Sequence, residues 1–123
     1  MVDGLRTVIY PAPALPAARR WYAEVFRQDP YFDQPFYVGF NVSGYELGLM
    51  PDAPQAAAGA DGVQAYWGVA DADAAVARLL SLGAAMHSPV TEVGEGIRVA
   101  TVLDPFGNLL GIIENPHFAL PEK

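Results

Sequence analysis

With 123 residues, 52% of them hydrophobic and 17% charged, the chain is long enough to bury one core and too apolar for a disordered segment. A net charge of −7 opposes nucleic-acid partners, whose phosphates call for a basic stripe, and favours a cationic ligand, although solubility alone also accounts for it. Zero cysteines exclude disulfides, thiolate nucleophiles and Cys-based metal sites; no apolar run nears the roughly 18 residues that cross a bilayer, so no membrane partner is expected and the cytoplasm is the default location.

Leu5–Tyr10 is a β-branched, apolar run that reads as a strand, ended by Pro11 and Pro13, neither of which can donate to a ladder. A helix is expected over Ala14–Phe26, with Pro16 in the first turn where its missing N–H costs little. Leu15, Ala18, Tyr22, Val25 and Phe26 recur at helical spacing and should pack on a sheet. Strands follow at Tyr31–Asp33, Phe36–Val42 and Tyr45–Met50, the last two joined by a tight turn at Ser43-Gly44. The segment Tyr31–Tyr37 (YFDQPFY) is unusually aromatic and reads as a cavity rim, a dimer surface or alternating core. Pro51–Asp61, rich in Pro, Gly and Ala, is a linker.

Val63–Val69 is the next strand, and Asp71 caps a helix running to about Leu82, with Asp73 in the first turn where the helix dipole favours an acid. Gly83 supplies a left-handed stop. Strands are expected near Ala85–Thr91, Ile97–Leu103 and Leu109–Glu114, with turns at Glu92–Gly96 and Pro105–Gly107 and a tail from Asn115 to Lys123.

The two halves repeat one another. Leu5–Tyr22 and Gly62–Leu79 align at an offset of 57 residues, and Gly44-Tyr45-Glu46-Leu47-Gly48 lies over Gly107-Asn108-Leu109-Leu110-Gly111 at an offset of 63. With VADADAAVARLLSLGA, GIRVATVLDPFGNLLGIIE and the DPFGN turn at Asp104–Asn108, the chain from about Leu5 to Glu114 resembles the vicinal-oxygen-chelate superfamily of glyoxalases, extradiol dioxygenases and bleomycin- and fosfomycin-resistance proteins. The resemblance implies an α+β fold: a single domain of two tandem βαβββ modules, about 5–50 and 62–114, joined by a linker at 51–61 and followed by a tail at 115–123. The modules would form a curved mixed sheet around a small-molecule pocket, with helices on the outer face. It also implies a homodimer, since members often complete their cavities by pairing.

Metal-using members place one ligand on the first strand and one on the last strand of each module. Carried over, those positions are Thr7, Gly48, Gln64 and Gly111, none of them His, Asp or Glu. Glycine has no donor, and a hydroxyl or amide is a poor substitute for imidazole or carboxylate, so no metal and no other cofactor is expected. Alternation from these positions points Leu5, Thr7 and Ile9, Glu46, Gly48 and Met50, Gln64, Tyr66 and Gly68, and Leu109, Gly111 and Ile113 toward the pocket. By analogy with the fosfomycin-resistance proteins, Leu103, Thr101 and Val99 join them, as do their first-half counterparts Phe40, Val38 and Phe36. The resulting cavity is apolar and aromatic, with a few polar groups to orient a ligand.

Glu46 is the one inward carboxylate; buried without a partner its pKa would rise, and a ligand cation, a hydrogen bond to Tyr66 or Gln64, a general-base role or simple solvation would each explain it. His87 and His117 are expected in exposed loop or edge positions, and Arg98, on the opposite parity, in a salt bridge or subunit contact. Three functions fit: a metal-independent protein that sequesters an aromatic compound, a glyoxalase-like lyase, isomerase or dioxygenase, and a non-catalytic dimerisation module. Binding ranks first, and the metal enzyme is opposed by all four substituted positions.

Overall fold

A computed structural model describes residues 5–52 and 64–117. These fall into two compact units divided between positions 63 and 64, except that Phe106–Asn108 belongs with the first. Each unit is a βαβββ module, so the fold is α+β with the repeat the sequence announces.

In the first unit, β1 (Thr7–Pro11), α1 (Leu15–Phe26), β2 (Phe32–Gln34), β3 (Tyr37–Val42) and β4 (Tyr45–Met50) make a sheet ordered β1-β4-β3-β2. β1 lies parallel to β4 and the other pairs are antiparallel. α1 starts at Ala14 without a side-chain cap, has proline in its first turn and ends at Arg27 in the left-handed conformation. Its buried stripe is Leu15, Ala18, Trp21 and Tyr22; Trp21 was not among the residues expected there. The stripe packs on the sheet face that carries Tyr10, Val38, Phe40, Leu47 and Leu49, all buried. The Tyr10–Tyr22, Tyr22–Phe26 and Phe26–Phe40 ring pairs, 5.5–6.0 Å apart, knit helix to sheet. Each such side chain taken out of water contributes about 1.5–3 kcal/mol, which makes this face the module's core.

The second unit contains β5 (Tyr66–Gly68), α2 (Ala72–Ser81), β6 (Ala85–Gly94), β7 (Ile97–Leu103) and β8 (Leu109–Glu114), ordered β5-β8-β7-β6 with β5 parallel to β8. Asp71 caps α2 by accepting the Ala74 N–H at 3.1 Å, and Gly83 follows with φ +103°. Ala72, Val76 and Leu79 pack over Ala100, Val102, Leu110 and Ile112. Arg98 forms the expected ion pair, 2.8 Å to Asp73 and 3.6 Å to Glu114.

β4, β7 and β8 have the bounds read from sequence, whereas β5 is shorter and β6 longer. Irregularities break the β6–β7 register, one of them between Met86 and Ser88. The expected linker and tail lie largely outside the described residues. Among the described residues no helix is long and apolar enough to cross a membrane.

One group of expected pocket residues is corrected by register. Val38 and Phe40 pair with Leu49 and Leu47, which puts them on the helix-covered face, while Gly39 and Asn41 pair with Gly48 and Glu46. Phe36 precedes β3 and is 63% exposed. The reason is hairpin length. Nine positions separate Gly39 from Gly48, but ten separate Thr101 from Gly111, so one offset cannot map both strands of the hairpin. A one-residue difference turns every side chain to the other face.

Candidate functional site

In the first unit the sheet face turned away from α1 carries Thr7, Ile9, Tyr37, Gly39, Asn41, Glu46, Gly48 and Met50. Thr7 is the cross-strand partner of Glu46, and Ile9 that of Gly48. Gly39 and Gly48 are partners too, so two adjacent strands lack side chains at the same level. The trough is filled. A Cβ on Gly39 would lie 2.6 Å from Glu46 Oε2, and a Cβ on Gly48 would lie 2.6 Å from Tyr37 Cζ. Both positions therefore require glycine for close approach, not for backbone conformation.

Glu46 is held by two hydroxyls, with a third beside it. Thr7 Oγ1 donates to Oε1 at 2.7 Å and Tyr31 donates a short hydrogen bond to Oε2, while the Tyr37 phenol stands close enough to act on the same carboxyl. Burial pushes the Glu46 carboxyl up, but the hydroxyls of Tyr31, Thr7 and Tyr37 outweigh it and hold the group below the usual carboxylate range. Glu46 is thus not the unpartnered buried carboxyl whose pKa would rise, and the hydroxyls that hold it come from Thr7 and Tyr31 of its own unit. The Tyr37 phenol is pushed up to about 12, first by burial and then by the neighbouring Glu46 charge. Tyr31 is raised chiefly by its hydrogen bond to Glu46. No ion pair reaches Glu46 among the described residues, whereas nearby Asp33 is paired with Arg19 at 2.7 Å.

Beside the carboxylate runs an aromatic series. Phe32 lies 6.0 Å from both Phe36 and Tyr37 and 6.5 Å from Tyr31, measured between ring centres. Tyr31 is 64% and Phe36 63% exposed. Neither Tyr31 nor Tyr37 was singled out from sequence as a site residue, although the aromatic stretch containing them was. Counting back from the two-residue turn Ser43-Gly44, instead of across from the second module, would have placed Tyr37 and Gly39 on the Glu46 face.

The second unit repeats the device. Gly111 pairs with Thr101 on one side and Tyr66 on the other. A Cβ there would lie 2.6 Å from the Ala65 carbonyl oxygen and 2.7 Å from Tyr66 Cδ1. Tyr66 Oη donates to Gln64 Oε1 at 3.0 Å. Thr101 is 6% exposed and shares its face with Gly111, Ile113 and Tyr66, as read from sequence. The pairing of Ala85 with Leu103 and Met86 with Val102 carries His87 to this face by alternation: its Nδ1 is 2.9 Å from Thr101 Oγ1, and the residue stays exposed on the edge strand as expected. His117 donates from Nε2 to the Glu95 carbonyl at 2.7 Å.

The divalent ion of metal-using relatives does not fit these residues. Thr7 and Gln64 engage Glu46 and Tyr66, and tyrosine rings fill the space at Gly48 and Gly111 from which ligand side chains would reach. Among the described residues no three His, Cys, Asp or Glu side chains gather as a coordinating group.

Comparison with known proteins agrees with this architecture. Residues 4–112 match the family model described as the Glyoxalase/Bleomycin resistance protein/Dioxygenase superfamily. Among solved structures, a glyoxalase-related enzyme from Fulvimarina pelagi superposes with a TM-score of 0.78 at 20% identity, covering 98% of this chain and 94% of that one. A lactoylglutathione lyase from Agrobacterium tumefaciens gives 0.72 at 20% identity, covering 98% and 100%. Protein ATC0852 from the same organism gives 0.75 at 22%, covering 97% and 100%. At such identities the likeness shows the fold alone. Among curated proteins no sequence matches the chain.

Proposed function

The chain belongs to the glyoxalase/bleomycin resistance protein/dioxygenase superfamily, and from that premise we propose that it is a metal-independent small-molecule-binding protein that sequesters an aromatic compound carrying positive charge. The observation that carries the reading is Glu46: an ionised carboxylate that no ion pair reaches among the described residues, held by hydroxyls on an aromatic sheet face. A carboxyl whose pKa is lowered is a weak base near neutral pH, and a hydroxyl already donates to each of its oxygens. Glu46 is therefore suited to fix a charge and poorly suited to abstract a proton. On this reading Thr7, Ile9, Gly48 and Met50 line the ligand's floor beside Glu46 in the first unit.

Elemental analysis of dialysed protein and calorimetric titration with neutral and cationic aromatic compounds test the reading together. Cation-selective binding without stoichiometric metal supports it. A retained equivalent of nickel, zinc, iron or manganese would instead return the chain to the metal-dependent lyases, isomerases and dioxygenases.

We propose in addition that the chain forms a homodimer. Among the described residues each four-stranded sheet ends on strands paired on one side only, β1 and β2 in the first and β5 and β6 in the second, and such edges are commonly covered. Light scattering that reports a single 13.2 kDa chain at micromolar concentration opposes this.

A further inference from the structure

We infer that the charge Glu46 meets is a quaternary ammonium, a cation with no N–H to donate. The inference rests on the reading just given and names the ligand class for the same site. A carboxylate offers about four lone-pair positions. Here the hydroxyls of Thr7 and Tyr31 already donate to Glu46, so at most two positions stay open to a ligand. A primary ammonium brings three donors, and removing them from water without acceptors is costly. A trimethylammonium head has none to satisfy. It is held by net charge and by ring faces, two things this surface provides.

The charge balance favours a cation. Asp33, at the foot of the same aromatic run, is matched by Arg19 at 2.7 Å, whereas the hydroxyls that donate to Glu46, from Thr7 and Tyr31, are neutral. The rings stand beside it: Tyr31 hydrogen-bonds to Glu46, the Tyr37 phenol feels its charge, and Phe32 joins both to the exposed ring of Phe36. Tyr31 thus serves twice, through a hydroxyl that orients the anion and a ring that can face the alkyl groups. The twin glycines Gly39 and Gly48 let the carboxylate and the Tyr37 ring sink into the sheet, so a bulky head can rest on top instead of being held off.

The experiment uses the wild-type chain and three probes: benzyltrimethylammonium, benzylammonium and benzyl alcohol, titrated by calorimetry at neutral pH. Benzyltrimethylammonium is expected to bind at least about tenfold more tightly than benzylammonium, with benzyl alcohol weakest, because only the first cation keeps its attraction without unmet donors. In Glu46→Gln the trimethylammonium advantage over benzyl alcohol should shrink by about tenfold, while benzyl alcohol is unchanged. Benzylammonium binding as tightly as its trimethyl counterpart overturns the inference and leaves cation binding at Glu46 standing. Benzyl alcohol matching both cations overturns the inference together with the role of Glu46, yet keeps small-molecule binding. Failure of all three probes to bind overturns both readings. The wild-type ranking decides the matter even where the variant folds poorly.

Discussion

The phenol ring of Tyr37 lies where a side chain on Gly48 would begin, with Cζ 2.6 Å from the position a Cβ would take. Gly48→Ala therefore overpacks a filled space and should cost about 1–3 kcal/mol in urea denaturation. In a Tyr37→Ala background the same change should cost almost nothing, giving a coupling of about 1–3 kcal/mol in the double-mutant cycle. Gly48→Glu, which supplies the carboxylate that metal-using relatives carry there, meets the same ring and should bind no divalent ion by elemental analysis. Additive single effects would mean that the ring moves aside freely.

The Glu46 carboxyl sets an acid limit on stability. Its folded pKa is lowered, so the stabilisation is fully present above the unfolded value of about 4.3 and is lost as pH falls through the folded value. Glu46→Gln keeps one acceptor oxygen where the anion offers two to hydroxyls, and should be less stable by about 1–2 kcal/mol at pH 7. This reverses what an unpartnered buried acid would imply, since removing such a group relieves the fold. Urea midpoints measured from pH 7 downward should show the gap between the two proteins closing below about pH 4. A gap that stays constant would separate the loss from ionisation.

The start of α2 offers a choice between a cap and an ion pair. Asp71 accepts the Ala74 N–H at 3.1 Å, and Glu114 accepts the Ala72 N–H at 2.8 Å while standing 3.6 Å from Arg98. Asp71→Ala leaves a helix-end N–H without its partner and should cost about 1 kcal/mol, with Asp71→Asn retaining most of it. Arg98→Ala should cost less, because its pair with Asp73 is exposed and salt competes with it. Thermal midpoints at low and high salt check the ranking; a larger loss for Arg98→Ala would assign the helix start to the ion pair.

How much was legible follows from which signals are local. β4, β7 and β8 were bounded correctly because alternation of apolar residues between turn signals is a property of the strand itself, and Asp71 and Gly83 mark α2 in the same local way. The face of β3 was not, because parity there depends on the length of one hairpin, and the first hairpin is a residue shorter than the second. The Glu46 cluster was only half visible. Alternation put Thr7 and Glu46 on one face, but their contact spans 39 positions and that of Tyr31 with Glu46 spans 15. Periodicity says which way a side chain points and not what it meets. The exposed edge position of His87 was legible, but its contact with Thr101, 14 positions away, was not.

The tyrosines beside Glu46 should titrate late, and for different reasons. Tyr37 is raised to about 12, with burial as the leading cause, while Tyr31 is raised chiefly through its hydrogen bond to Glu46. For a phenol with a raised folded pKa, the stabilisation is present below the unfolded value of about 10 and disappears as pH climbs through the folded one. Near-ultraviolet absorbance followed against pH should show some of the six tyrosines ionising well after the rest, with Tyr31→Phe and Tyr37→Phe each removing one late component. Glu46→Gln then separates the two causes. Taking away the charge should return Tyr31 toward ordinary behaviour, because its shift depends on Glu46 first. Tyr37 should move back only in part, because the burial that leads its shift is untouched. If Tyr31 keeps its late ionisation in Glu46→Gln, the short hydrogen bond is not what raises it, and Tyr31 is an exposed ring standing beside the carboxylate without holding it.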